Sequence, residues 1–144
     1  MSDPPTILIV DDDHDFVEAV GTCLEAEGYR VLRAYDAGEG LKVAKRERPD
    51  LIIMDIMMTE RTEGFFGVQA IRSSPALRET PVFVVSSLYS HVPDFEVAPE
   101  RGWLPYDEFL SKPVKPVELL SRIRQYLSAG RGRKALTGEE EQLP

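Results

Sequence analysis

The chain has 144 residues, 42% of them hydrophobic and 29% charged, and carries a formal net charge of −8. That length suits one domain, and an acidic balance without a basic stripe argues against nucleic-acid binding. The single cysteine, Cys23, rules out an internal disulfide, and no apolar run is long enough for a signal peptide or membrane span, so a cytoplasmic protein is expected.

TILIV (6–10) is a short, β-branched apolar run that reads as a buried strand. From His14 to Glu27, the residues Phe16, Val17, Val20 and Leu24 recur at helical spacing, and Gly28 fits the stop. Cys23 falls inside this pattern as a small core residue. RVLRA (30–34) is a second strand. Asp36 and Glu39 stand three residues apart, as in a capping box, ahead of a helix to about Arg48 that Pro49 ends. LIIM (51–54) is a third strand, and a fainter helical pattern covers Phe65 to Ser73. PVFVV (81–85) and EFL (108–110) are the fourth and fifth strands. Val117, Leu120, Ile123 and Leu127 mark an amphipathic last helix, with Pro116 near its first turn.

The last sixteen residues, AGRGRKALTGEEEQLP, hold opposed charge blocks that sum to zero and little apolar content. They are expected to be a disordered tail, 129–144, behind a domain spanning 1–128. The −8 therefore belongs to the domain.

Strands alternating with helices imply an α/β fold: a doubly wound parallel sheet with helices on both faces. Such folds bind ligands beyond the carboxyl ends of their strands. Asp11, Asp12 and Asp13 follow the first strand, Asp55 the third, Ser86 and Ser87 the fourth, and Lys112 the fifth. Carboxylates gathered at one edge repel unless a cation intervenes. An oxygen-only donor set favours Mg²⁺, which binds through a few carboxylates plus a phosphate. A lysine and a hydroxyl suit the remaining phosphoryl oxygens. The chemistry implied is phosphoryl transfer to an aspartate. Asp13 is left open between a helix N-cap and a site residue.

ILIVDDD, LIIMD, PVFVVSS and FLSKPV, in that order and spacing, resemble the receiver domain of two-component response regulators, over about Thr6 to Leu127. The resemblance implies five strands in the order 2-1-3-4-5. It implies that Asp55 accepts the phosphoryl group and ligates Mg²⁺, that Asp12 ligates the Mg²⁺ directly and Asp11 mostly through water, and that Met57 lends a backbone carbonyl. Lys112 would pair with the phosphoryl group through a cis peptide to Pro113, Ser86 would be the switch hydroxyl, and Phe109 the switch aromatic. The implied partners are a sensor histidine kinase or a histidine phosphotransfer protein, and a downstream protein target that the sequence does not identify. No residues for an output domain follow Leu127, so a stand-alone receiver is expected, with homodimerisation left open. Neither nucleic acid nor membrane is expected as a partner. Apolar Met57 and Leu88 beside the site would not orient an attacking water, which implies a long-lived phosphorylated form.

Two stretches depart from the family pattern. The loop after Asp55 has Thr59 where proline is usual and places Gly64 one position late. Between Ser86 and Lys112 stand Pro93, Pro99 and Pro105, so the fourth helix is expected to be short or missing. Trp103, Phe95 and Tyr106 in that stretch are either an interface or a cover for the core.

Two other function classes compete. A pseudo-receiver would keep the fold without switching by phosphorylation. A phosphatase of the haloacid dehalogenase type would use Asp11 and Asp13, but His14 stands where that family has glycine, and Asp55 would have no role.

Overall fold

The computed structural model describes residues 4–56, 63–86 and 106–140, with no side-chain detail for 63–66 or 129–140. Met57, Leu88 and the proline-rich stretch 91–105, with what the sequence implies for each, lie outside the described residues.

Nine elements alternate along the chain: β1 (Thr6–Val10), α1 (His14–Ala26), β2 (Arg30–Ala34), α2 (Ala37–Glu47), β3 (Leu51–Asp55), α3 (Glu63–Ser73), β4 (Val82–Ser86), β5 (Glu108–Ser111) and α4 (Pro116–Glu140). The strands form one parallel sheet in the order β2-β1-β3-β4-β5. The order reverses beside β1, which puts the ends of β1 and β3 next to each other.

β1, β3 and β4 are buried along their whole length, which is why they read as unbroken apolar runs. Successive side chains of a strand point to opposite faces. Leu8, Val10, Ile52 and Met54 pack under α2 and α3, against Val43, Ala44, Val68 and Ile71. Ile7, Ile9, Ile53 and Phe83 pack under α1 and α4, against Val17, Leu24, Leu120 and Ile123. The sheet is thus covered on both faces, as the sequence pattern implies.

Helix ends follow their local chemistry. Asp13 caps α1 by accepting from Phe16 N at 3.2 Å. Gly28 adopts φ 94° just past α1, in the region that favours glycine. Asp36 caps α2 by accepting from Glu39 N at 2.7 Å. Glu39 Oε1 takes the amide of Tyr35, at 3.1 Å, in place of the reciprocal bond of a full capping box.

The strand ends and the end of α1 fall within one residue of the sequence reading, but two helix boundaries differ by more. α3 begins at Glu63, two residues ahead of Phe65. The tail expected to be disordered from 129 is helical to Glu140. Extending a formed helix is far easier than starting one, and Arg, Lys, Ala, Leu and Glu in this stretch are good helix formers. Among the described residues, no helix is long and apolar enough to cross a membrane.

Candidate functional site

Parallel pairing sets Val10 opposite Met54 and Asp55 opposite Val85. Asp11, Asp55 and Ser86 therefore arrive at one edge of the sheet from three adjacent strands. Asp11 and Ser86 are fully buried, and Asp55 is 5% exposed. Asp12 is half-buried beside them. One carboxylate oxygen each from Asp11, Asp12 and Asp55 lies within 4.8 Å of the other two.

Lys112 enters from β5. Its backbone N–H donates to the Ser86 carbonyl at 3.1 Å, and its peptide bond to Pro113 is cis, as the resemblance implies. Its Nζ lies 2.8 Å from Asp11 Oδ2 and 3.3 Å from Asp55 Oδ2. Burial pulls the ammonium's pKa down, but the Asp11 and Asp55 carboxylates outweigh it and hold Lys112 above the ordinary lysine value. The Phe16 ring lies beneath the same ammonium, its centroid 4.4 Å from Nζ. Sequence periodicity placed Phe16 only on the inward face of α1; a contact with Lys112 across 96 positions has no sequence signal.

Asp13 is not one of the three clustered carboxylates. It is exposed, its carboxylate caps α1, and its amide donates to Asp11 Oδ1 at 2.9 Å. Of the two roles the sequence left open for Asp13, the helix N-cap is the one its carboxylate performs here. Phe109 is half-buried against the core beneath α2 and α3, edge-to-face with Tyr106 at 5.8 Å between ring centroids. Met57 lies outside the described residues.

The donor set fits Mg²⁺. It is all oxygen, closely spaced, and set largely inside the protein. Asp11 Oδ2 is buried without an aligned hydrogen bond and is met by the Lys112 ammonium as an ion pair. A buried carboxylate in that state is a ready ligand for a hard cation.

The family model for the response regulator receiver domain matches residues 7–124. The chain belongs to that family. This receiver is 34% identical over 123 residues to an uncharacterized 14.6 kDa protein of Leptolyngbya boryana, covering 85% of this chain and 90% of that one. It is also 34% identical over 123 residues to the transcriptional regulatory protein YvrH of Bacillus subtilis, covering 85% of this chain but only 48% of that one. The receiver thus spans about half the length of that regulator. Among solved structures, the chemotaxis response regulator CheY4 of Vibrio cholerae superposes with a TM-score of 0.71 at 29% identity, covering 85% of this chain and 98% of that one. The receiver is therefore a module of two-component signalling.

Proposed function

We propose that this receiver takes a phosphoryl group onto Asp55 from a phosphohistidine on a sensor histidine kinase or histidine phosphotransfer protein. The observation that carries the reading is the meeting of Asp55 with Asp11, Asp12 and the Lys112 ammonium at one buried edge. An Asp55 oxygen forms the new P–O bond as the P–N bond to the donor imidazole breaks. The imidazole leaves with the electron pair and is then protonated. Lys112 faces Asp55 and is held in its charged form, so it stabilises the transferring oxygens. Asp11, Asp12 and Asp55, with the Met57 carbonyl, would hold Mg²⁺. When bound, it neutralises charge on the transferring group.

Ser86 reaches the same edge and suits the role of hydrogen-bonding the product phosphoryl group. Phe109, two residues before Ser111 in the strand paired with β4, is the side chain that would repack in response. Phosphorylation then biases an existing equilibrium between two surfaces for a downstream protein. The reading goes with a cytoplasmic location and leaves homodimerisation to be measured. The apolar residues Met57 and Leu88 extend it to a long-lived product, an extension that a half-life of seconds would sink.

The test is to incubate the protein with Mg²⁺ and a small phosphodonor, or with beryllofluoride, and look for an adduct. The expected result is one adduct, lost in Asp55→Asn. No adduct in the wild type overturns the reading in favour of a pseudo-receiver. Continuous phosphate release that depends on Asp11 rather than Asp55 overturns it in favour of a phosphatase.

A further inference from the structure

We infer that Phe16 is a positioning residue for phosphoryl transfer, its ring face keeping the Lys112 ammonium over Asp55 when Asp11 is taken by a metal ion. The inference rests on the reading of Asp55 as phosphoacceptor.

Among the described residues, three groups lie around Lys112 Nζ: Asp11 at 2.8 Å, Asp55 at 3.3 Å, and the Phe16 ring centroid at 4.4 Å. A cation over an aromatic face at this distance is attracted by the ring's quadrupole. The attraction strengthens as water is removed, and the Lys112 side chain is only 19% exposed. The two carboxylates and the ring do not share one fate. Asp11 and Asp55 are both candidate metal ligands, and Asp55 is also the group that changes in the reaction. Phe16 alone of the three is chemically constant through the cycle.

The ring is also well placed to stay put. Phe16 sits in the first turn of α1, where its amide is fixed by the Asp13 cap at 3.2 Å. The side chain is half-buried against the core under α1 and α4. It lines one cavity together with Lys112, Val20 and Leu119. A flexible lysine that loses its closest carboxylate to a metal would otherwise regain rotamer freedom and swing to solvent. A leucine would fill much of the same volume but offers no quadrupole.

The test compares the wild-type chain, Phe16→Leu and Phe16→Tyr at saturating Mg²⁺. Adduct formation from acetyl phosphate is measured alongside the NMR shifts of the Lys112 ε-methylene. Phe16→Leu should slow adduct formation by roughly 2- to 30-fold, the range that a cation–π contact converts to. Phe16→Tyr should restore the rate. In a Lys112→Met background, Phe16→Leu should have no further effect. The upfield ring-current shift at Lys112 should vanish in Phe16→Leu and persist in Phe16→Tyr. An unchanged rate in Phe16→Leu overturns the inference, as does equal slowing with and without Lys112, or no rescue by tyrosine. Should Phe16→Leu fail to fold, Phe16→Met is read by the same criteria. A wild type that forms no adduct overturns the phosphoacceptor reading itself, with or without the ring-current shift, so the two failures are distinct.

Discussion

The Lys112 ammonium lies closer to Asp11 Oδ2, at 2.8 Å, than to Asp55 Oδ2, at 3.3 Å. Lys112 thus neutralises the more deeply buried of the two carboxylates, and a divalent cation entering the site would compete with it for Asp11. Removing the ammonium leaves Asp11 uncompensated and more attractive to a metal. Lys112→Met should therefore bind Mg²⁺ more tightly, by on the order of tenfold, while slowing adduct formation. Calorimetric Mg²⁺ titration of both proteins checks this. Equal or weaker affinity in the variant would show that Lys112 and the metal do not compete.

Two helix glycines test how tightly the layers pack. A Cβ on Gly40 of α2 would meet Val10 Cγ2 at 2.7 Å and Cγ1 at 2.9 Å. Val10 is a stiff β-branched residue of the interior strand β1, so neither atom has room to yield. A Cβ on Gly21 of α1 would meet the Arg33 guanidinium at 2.5 Å, the far end of a flexible side chain. Gly40→Ala should destabilise by about 1–3 kcal/mol. Gly21→Ala should stay within about 1 kcal/mol of wild type, because the gain in helix propensity offsets the displacement of Arg33. Urea unfolding of the pair decides it; equal losses at both positions would overturn the argument.

The sheet and the gathering of the site's side chains at its edge were legible because both rest on short-range rules. Ile7 and Ile9 go to one face of β1 and Leu8 and Val10 to the other by strand alternation alone. Asp11, Asp55, Ser86 and Lys112 each stand at or just past the carboxyl end of a strand, so parallel pairing was enough to bring them together. What was not legible depends on how side chains settle. Whether Lys112 prefers Asp11 or Asp55, and whether it meets Phe16, turns on rotamers and on where α1 rests against β5. Asp13 offered two roles from sequence, and only the direction of its carboxylate separates them. The helix beyond Ser128 escaped because composition describes an isolated segment, whereas this one continues α4.

Asp107 ties the starts of β4 and β5 to α3. Its Oδ2 accepts from the Val82 amide at 2.8 Å and from Arg72 Nη2 at 2.6 Å. Arg72 also donates to the Arg78 and Thr80 carbonyls, at 2.8 and 2.6 Å. Val82 is fully buried, so its amide has no ready access to water. Asp107→Ala should destabilise by about 1–3 kcal/mol, the range for stranding a buried donor. Asp107→Asn keeps an acceptor oxygen and should lose less. Denaturant midpoints of the two variants check the order; an alanine no worse than asparagine would remove Val82 from the account.

Tyr126 on α4 gives the alkaline limb of stability a readable component. Its hydroxyl lies 3.1 Å from the Asp107 carbonyl and 3.0 Å from Glu108 Oε2. Burial, then the Glu108 carboxylate, push its pKa up to about 12 from the ordinary 10.0. Between those values the unfolded chain has lost the phenolic proton and the folded chain still holds it. The unfolded state then binds fewer protons, so stability falls as pH rises. The Tyr126 contribution is whole below about pH 10 and fades toward about pH 12. Lys112 is raised as well and adds to the same decline, so the wild-type curve alone does not isolate the tyrosine. The difference from Tyr126→Phe does. At neutral pH the variant should be less stable by about 0.5–1.5 kcal/mol, the net value of one hydrogen bond. That gap should close as pH passes about 11. Urea midpoints across the range measure it. A gap that stays constant into alkali would mean that the hydroxyl keeps its proton no better in the folded protein than in the unfolded chain.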